Sequence, residues 1–358
     1  MSDELGPVDY LNRHWQTTGE GVQQKLDELV ELTAGNSGNA ELYREMLHGV
    51  VRMAQADRNR WDAKIMLQTI RELEQAFARL DQFKRSRKVT VFGSARTPRE
   101  HPAYKLAQDM GRQLARHDFM AITGGGGGIM AATHEGAGLD NSLGFNITLP
   151  FEQRSNHVIH ETDHDLPFKF FFLRKLFFVK EADALILCPG GFGTLDETLE
   201  VLTLIQTGKS PVVPVILLDT PDGNYWSSLL QFLNEQLCAN GYIHEADFRL
   251  ISLVHSAEDA IQVVLNFYRN YHSSRWINSH YLLRLNHPLK HNALRQLEQQ
   301  FADICVEDGF CQDQDCRQEL DEPEFSHLHR LSFRFNGRDH GRLRELIDFV
   351  NQPEHLQN

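Results

Sequence analysis

The residues best suited to chemistry lie in two short stretches, Arg174-Lys175 and 189–197. The second stretch reads Pro-Gly-Gly-Phe-Gly-Thr-Leu-Asp-Glu, and it follows an apolar run, 184–187, that predicts a buried parallel strand. The residues after it predict an amphipathic helix. A glycine loop between a strand and a helix directs backbone N–H groups and the positive end of the helix dipole towards a phosphate. The sequence therefore predicts a phosphate site at this loop.

Glu197 is the candidate catalytic group, because it falls in the first turn of the predicted helix, beside the phosphate. A carboxylate is an odd choice for binding an anion, but beside a bound phosphate it can stabilise positive charge and orient or deprotonate water. Arg174 can bind the phosphate or hold Glu197. Two structural explanations stay open: a glutamate that stabilises a helix N-terminus, and an arginine on a helix surface.

The predicted phosphate contacts come from three glycine turns, each of which follows a predicted strand. Ligands of parallel sheets bind beyond the carboxyl ends of the strands, so three such turns are more informative than one. Lys175 adds positive charge for the phosphate, and Asp196 and Glu200 are supporting or structural. The predicted binding residues are Gly93 and Ser94 in the first turn, Gly125, Gly126 and Gly127 in the second, and Gly190, Gly191, Gly193 and Thr194 in the third.

Strands and helices alternate along the middle of the chain, a pattern typical of a parallel sheet with helices on both faces. The fold class is therefore α/β: a Rossmann-like, doubly wound parallel sheet with an N-terminal helical extension and a small C-terminal α+β module. The predicted strands are 89–92, 119–123, 143–149, 184–187 and 212–218, with a short one at 250–254.

Three segments with different patterns of predicted helices and strands indicate the domain organisation. Residues 1–84 are a helical extension, 85–272 the Rossmann-like nucleotide-binding domain, and 273–358 the small α+β module. The last segment contains two similar strand–helix units, in which the strands at 281–286 and 330–336 are each followed by a helix. This similarity indicates a possible internal repeat.

Composition limits the class of protein. The chain has 358 residues, of which 41% are hydrophobic and 24% charged, as in soluble globular proteins. A net charge of −13 argues against general binding to nucleic acid or anionic membranes. No apolar run approaches the roughly 20 residues that a membrane helix needs. The N-terminus lacks a signal pattern, so we expect a cytoplasmic protein. Five scattered cysteines match no usual zinc spacing, and we expect no metal site.

The glycine run 124–128 differs from two common nucleotide-binding loops. It is not a G-x-G-x-x-G fingerprint with an acidic ribose ligand downstream, and it lacks the Gly-Lys-Ser/Thr of a Walker A loop. These differences argue against a dinucleotide-dependent dehydrogenase and against an NTPase.

The stretch 189–197 fits P-G-G-x-G-T-x-x-E, and together with Arg174-Lys175 it resembles the LONELY GUY (LOG) family of nucleoside 5′-monophosphate phosphoribohydrolases. The resemblance covers about residues 85–270 and suggests a longer, bacterial-type member. It implies that Arg174 and Glu197 form the catalytic pair. It also implies that Gly191, Gly193 and Thr194 hold the 5′-phosphate and that the other two glycine turns line the nucleotide.

The same resemblance implies the reaction. A nucleoside 5′-monophosphate, such as AMP or an N6-modified AMP, is hydrolysed to free base and ribose 5-phosphate without a metal or organic cofactor. Members of the family are usually dimers, sometimes higher oligomers, so we expect a homo-oligomer. One departure concerns the residues before Arg174, which are 170–173, Phe-Phe-Phe-Leu, where compact members commonly have a methionine and acidic or histidine positions.

Two other functions are alternatives to hydrolysis. A non-catalytic nucleotide-binding or sensing protein is the main alternative, because a fold alone does not fix a function. A pure binder, however, has no evident need for Arg174 and Glu197 together. An amino-acid decarboxylase usually needs a lysine-bound pyridoxal phosphate, and no lysine is marked for that role in the sequence.

Overall fold

Seven strands of the described chain form one parallel sheet in the order β4-β3-β2-β1-β5-β6-β7. The computed structural model describes residues 20–357 except 58, 85, 148–153, 308 and 314–321. The chain passes from β1 outward to β4 and then returns to the other side of β1 as β5. This reversal is the switch point at which such sheets bind ligands. The strands are β1 (Lys88–Phe92), β2 (Met120–Thr123), β3 (Ser142–Ile147), β4 (Asp165–Phe168), β5 (Ala184–Leu187), β6 (Val215–Leu218) and β7 (Ile251–Val254).

Helices cover both faces of this sheet. Alternate strand residues separate into two buried clusters, as the two-residue period of a strand requires. Val89, Val91 and Ile186 pack with α4, α5 and α9, whereas Phe92 and Leu187 belong to the cluster that contains α6, α7 and α8. The predicted doubly wound α/β class is confirmed. The helices are α1 (Glu20–Ala34), α2 (Ala40–Gln55), α3 (Arg60–Leu80), α4 (Pro102–Arg116), α5 (Ile129–Ala137), α6 (Phe171–Lys180), α7 (Phe192–Gln206), α8 (Tyr225–Phe232) and α9 (Ala257–Phe267).

Helices α1 and α2 and the first part of α3 belong to a separate compact unit. The chain divides into one unit that ends at Arg71 and a second that begins at Glu72. Within the first unit, an ion pair of 2.8 Å between Arg44 Nε and Asp27 Oδ1 links α2 to α1. None of the helices in the described ranges has both the length and the apolar character needed to cross a membrane.

The C-terminal segment contains an antiparallel sheet in the order β10-β11-β9-β8. The two predicted strand–helix units are present as β9–α10 and β11–α11, whereas β8 and β10 were not predicted. The proposed boundary between 272 and 273 falls within β8, and the three-domain division stays a prediction. The elements are β8 (Tyr271–Ile277), β9 (His280–Leu285), α10 (His291–Gln300), β10 (Cys311–Gln312), β11 (His329–Phe333) and α11 (His340–Val350).

Several predicted boundaries change in the structure. The third strand ends at Ile147, and the last two residues predicted for it, 148 and 149, lie outside the described residues. The strand predicted from 212 begins at Val215. β4 was not predicted, because the polar residues 163–165, the last of which begins this strand, indicated a loop.

Two glycines allow α4 and α5 to approach each other at backbone distance. A Cβ atom on Gly136 of α5 would lie 1.9 Å from the carbonyl oxygen of Gln108, and one on Gly111 of α4 would lie 2.1 Å from that of Thr133. Both distances are far below van der Waals contact. The position of α5, which begins directly after the second glycine turn, is therefore fixed by backbone contact.

We expect Gly136→Ala to destabilise the protein by roughly 2 to 3 kcal/mol, because the added methyl group must push α4 and α5 apart. The matched control is Gly49→Ala in α2, where the nearest atom to an added Cβ is an arginine nitrogen at 3.8 Å. This control should be neutral or stabilising by up to about 1 kcal/mol, since alanine favours a helix. Denaturant unfolding followed by circular dichroism measures both. An unchanged unfolding midpoint in Gly136→Ala would contradict the expected clash.

Candidate active site

The three glycine turns meet at the backbone of Ser94. Its N–H donates to the carbonyl oxygen of Pro189 at 3.2 Å, which ties the first turn to the third. Its own carbonyl oxygen accepts from the N–H of Ile129 at 3.0 Å, which ties the first turn to the start of α5. The turns follow β1, β2 and β5, three adjacent strands, so they come together at one edge of the sheet.

Glycine is required where these turns touch. Gly128 has a φ of +60°, and a Cβ atom there would lie 2.2 Å from the carbonyl oxygen of Ser94. A Cβ atom on Gly190 would lie 2.1 Å from Thr194 Oγ1, so the threonine side chain packs directly against this glycine. These contacts leave no space for a larger residue at either position.

Arg174 lies on α6 and is held by two backbone carbonyls, one from β3 and one from the second glycine turn. Its Nε donates to Phe145 at 2.7 Å, and its Nη2 donates to Gly124 at 3.4 Å. Burial lowers the pKa of Arg174 to about 10, and the negative charge of Glu197 acts in the opposite direction. The guanidinium is therefore charged at neutral pH and fixed in orientation beside the second glycine turn.

Glu197 lies on α7 and is only 8% exposed. Its Oε1 lies 3.3 Å from Lys175 Nζ, whereas its Oε2 is buried and has no hydrogen-bond partner among the described residues. Burial raises the pKa of Glu197, Lys175 lowers it, and Glu200 raises it. A buried carboxylate oxygen without a partner is costly for stability, and such exceptions to normal pairing are expected at functional sites.

Lys175 is surrounded by carboxylates. Besides Glu197, its Nζ lies 2.9 Å from Asp196 Oδ2 and 2.5 Å from Glu200 Oε2. Burial alone would lower the pKa of Lys175, but the hydrogen bonds to Glu200 and Asp196 raise it well above its ordinary value. The sequence predicted that Lys175 contacts the phosphate. The structure instead favours a role in which Lys175 holds Glu197.

The third turn presents the N-terminus of α7 to solvent. The helix begins at Phe192, and the N-cap residue Gly191 has no side chain with which to cap it. Gly191, Phe192 and Gly193 are all exposed. The first N–H groups of a helix have no acceptor within the helix, so this end is suited to binding an anion. The hydroxyl of Tyr225 donates to the carbonyl oxygen of Gly190 at 2.8 Å and holds the turn from behind.

Some of the predicted phosphate donors already have partners inside the protein. The N–H of Ser94 is bonded to Pro189, that of Gly125 to Thr123 Oγ1 at 3.0 Å, and that of Thr194 to the carbonyl oxygen of Gly191 at 3.1 Å. The backbone of Gly93 lies close to the side chain of Ile129. These residues shape the turns. Gly127, Gly191 and Gly193 are exposed and better placed to face a phosphate, whereas Gly126 is buried.

Two residues that contact the second turn were not identified from the sequence. The side-chain amide of Asn156 reaches the carbonyl oxygens of Gly125 and Gly126, and it also contacts the buried ring of His134. A histidine among the small and apolar residues of α5 was the available signal for His134. Asn156 lies in a polar loop that gave no comparable signal.

Comparison with known proteins identifies the family of this chain. A family model described as "Possible lysine decarboxylase" matches residues 127–264. The chain is 33% identical over 184 residues to a "Probable cytokinin riboside 5'-monophosphate phosphoribohydrolase" (LOGL5) of Oryza sativa subsp. japonica; the match covers 49% of this chain and 71% of that protein. The chain belongs to the LOG family of phosphoribohydrolases.

A bacterial relative and a solved structure were also found. The LOG protein of Rhodococcoides fascians, named cytokinin riboside 5'-monophosphate phosphoribohydrolase, is 30% identical over 183 residues, which cover 49% of this chain and 88% of that protein. The molybdenum cofactor binding protein of Rippkaea orientalis is 24% identical with a TM-score of 0.36, covering 50% of this chain and 96% of that structure.

Proposed function

We propose that this LOG protein hydrolyses the N-glycosidic bond of a nucleoside 5′-monophosphate and releases free base and ribose 5-phosphate. The observation that carries the proposal is Glu197, a buried carboxylate with one oxygen that has no hydrogen-bond partner in the described part of the chain. It lies one turn into a helix whose exposed, glycine-rich N-terminus is suited to a phosphate. Phosphate bound at Gly191 and Gly193 would bring the ribose close to this carboxylate.

The chemistry follows from this geometry. As the bond between C1′ and the base nitrogen breaks, its electron pair leaves with the base and C1′ becomes positively charged. The Glu197 carboxylate stabilises that charge and orients a water molecule. The water oxygen forms the new bond to C1′ and keeps one proton as the new hydroxyl group, and its other proton passes through Glu197 or solvent to the base nitrogen. Arg174, charged and fixed by two carbonyls, is placed to bind a ribose hydroxyl or the phosphate.

The preferred substrate, we propose, is a purine nucleotide such as AMP or an N6-modified AMP. The support comes from relatives, several of which are named for cytokinin riboside 5′-monophosphates. We also propose that the protein acts as a homodimer or higher homo-oligomer. Three apolar side chains of α6, Phe171, Phe172 and Leu176, are exposed near the site and are suited to such an interface.

The name of the matching family model suggests a decarboxylase, and Lys175 argues against that reaction. A lysine that forms a Schiff base must reach its neutral amine form. Hydrogen bonds to Glu200 and Asp196 and the charge of Glu197 instead raise the pKa of Lys175 and keep it protonated. Lys175 is therefore a poor nucleophile.

Glu197→Gln should lower kcat by about 100-fold or more and leave the Kd for the nucleotide within about threefold of the wild-type value. The amide cannot deprotonate water or carry the negative charge that stabilises C1′. Glu200→Gln is the matched control, because Glu200 lies on the same helix and contacts the same lysine. Chromatographic detection of base released from a panel of nucleoside 5′-monophosphates is the assay.

Two results would count against this assignment. Full activity in Glu197→Gln would remove the residue from the mechanism. Binding of nucleotides by the wild type without release of base from any of them would favour the sensor function.

Adenosine should be a much poorer substrate than AMP, with a kcat/KM lower by roughly 100-fold or more. The phosphate interactions at the helix N-terminus supply binding energy that also positions the ribose. Base release from both compounds, measured under identical conditions, tests this expectation. Equal values of kcat/KM would show that the third turn is not the phosphate site.

Lys175→Gln should move the acid limb of the pH profile of kcat to higher pH by about one unit. Catalysis requires an ionised Glu197, and loss of the ammonium group raises the pKa of that carboxyl further. As the pH falls, the variant therefore loses activity at a higher pH than the wild type does. The matched control is Lys180→Gln, on the same helix but paired with Glu181. An acid limb at the wild-type pH in Lys175→Gln would show that Lys175 does not set the ionisation of Glu197.

A further inference from the structure

Three buried polar side chains lie behind the second glycine turn. Thr123 is the last residue of β2, His134 lies in the middle of α5, and Asn156 lies in the loop before β4. Thr123 and His134 are completely buried, and Asn156 is 8% exposed. None of them was assigned a part in the reaction above.

These side chains form one connected hydrogen-bond network. His134 Nε2 lies 3.1 Å from Thr123 Oγ1 and 3.2 Å from the carbonyl oxygen of Leu143. On the other side of the ring, His134 Nδ1 lies 3.1 Å from Asn156 Nδ2. Thr123 Oγ1 in turn accepts from the N–H of Gly125 at 3.0 Å.

The contacts determine which nitrogen of His134 carries the proton. The Leu143 carbonyl only accepts hydrogen bonds, so Nε2 must donate. The amide nitrogen of Asn156 only donates, so Nδ1 must accept and carries no proton. Burial lowers the pKa of His134 to about 4, which keeps the ring neutral at physiological pH. The neutral ring therefore orients the amide of Asn156.

Asn156, once oriented, holds two carbonyl groups of the glycine turn. The two protons of its Nδ2 are shared among three acceptors, since besides His134 Nδ1 this nitrogen lies 3.1 Å from the carbonyl oxygen of Gly125 and 3.2 Å from that of Gly126. Its backbone N–H also donates to Gly125, at 2.7 Å. Both carbonyl groups thus point towards the loop that contains Asn156.

The direction of these carbonyl groups sets the direction of the following N–H groups. In a planar trans peptide, the C=O of one residue and the N–H of the next point to opposite sides. When the carbonyls of Gly125 and Gly126 face Asn156, the N–H groups of Gly126 and Gly127 face away from it. Gly126 is buried and Gly127 is exposed to solvent, so the second turn offers the N–H of Gly127 to a ligand at the sheet edge.

We propose that His134 and Asn156 are positioning residues that hold the second glycine turn in its anion-binding form. The ligand class is the phosphate group of a sugar phosphate or nucleotide. The role rests on the proposed function, since it assigns the second turn to the same substrate. Neither side chain touches the reacting atoms, so their effect is on substrate affinity rather than on the chemical step.

The test measures binding and turnover in matched variants. Asn156→Ala removes the amide that holds the carbonyls, and His134→Leu removes the group that orients this amide. Each should raise the Kd for ribose 5-phosphate and the KM for AMP by about tenfold and leave kcat within about threefold. His134→Gln should keep the near-wild-type affinity for ribose 5-phosphate that His134→Leu loses, because glutamine offers both an acceptor and a donor.

Thr133→Val is the control for a structural effect. Thr133 is also completely buried in α5, and its hydroxyl donates to the carbonyl oxygen of Ile129 rather than to the glycine turn. This variant loses one buried hydrogen bond and should keep the wild-type KM and Kd. Thermal unfolding of each variant separates lost stability from lost affinity.

A further variant covers the case in which Asn156→Ala or His134→Leu does not fold. Thr123→Val keeps the size and shape of the side chain and removes the acceptor of the Gly125 N–H. It should weaken ribose 5-phosphate binding in the same direction. Wild-type affinity in the folded variants, with only a lower unfolding temperature, would overturn the proposal. So would a fall in kcat at unchanged KM and Kd.

Failure of the proposed function gives a different result. If the wild type releases no base from any nucleotide, the hydrolase assignment fails, and the ribose 5-phosphate titrations still decide the role of His134 and Asn156. If the wild type does not bind ribose 5-phosphate, the second turn is not a phosphate site and the positioning role is overturned.

Discussion

The sheet edge depends on two hydrogen bonds made by the backbone of Ser94. One joins the turn after β1 to the turn after β5, and the other joins it to the start of α5. Because β1 lies between β2 and β5, the spacing of adjacent strands sets the distances among all three turns. The glycines at 128 and 190 permit the contact, since side chains there would separate the turns. The site is therefore a property of the strand order as much as of any single loop.

The two basic residues of α6 have different tasks although they are neighbours in sequence. Successive residues of a helix point about 100° apart. Arg174 accordingly faces the carbonyls of Phe145 and Gly124, and Lys175 faces the carboxylates of α7. Arg174 offers a fixed positive charge beside the second glycine turn. Lys175 partly compensates the negative charge of Glu197 and its neighbours.

The sequence predicted the parallel sheet, the three turns at one edge and the residues Arg174 and Glu197 near them. These predictions rest on local patterns, because apolar runs and glycines determine strands and turns within a few residues. It did not reveal that Lys175 is held by three carboxylates or that Ser94 and Gly125 have internal partners. Such facts depend on side chains that meet only after folding. Asn156, for example, contacts Gly125, which lies 31 residues earlier in the chain.

The backbone contact between α4 and α5 has a consequence for how the site meets its ligand. Gly136 leaves no space for α5 to slide along α4, and α5 begins where the second turn ends. At its other end this turn follows β2, an interior strand of the sheet. A loop anchored at both ends has little conformational entropy to lose when it closes around an anion. The entropy cost of ordering this loop is therefore met when the protein folds. Binding of the ligand then requires no further ordering of the loop.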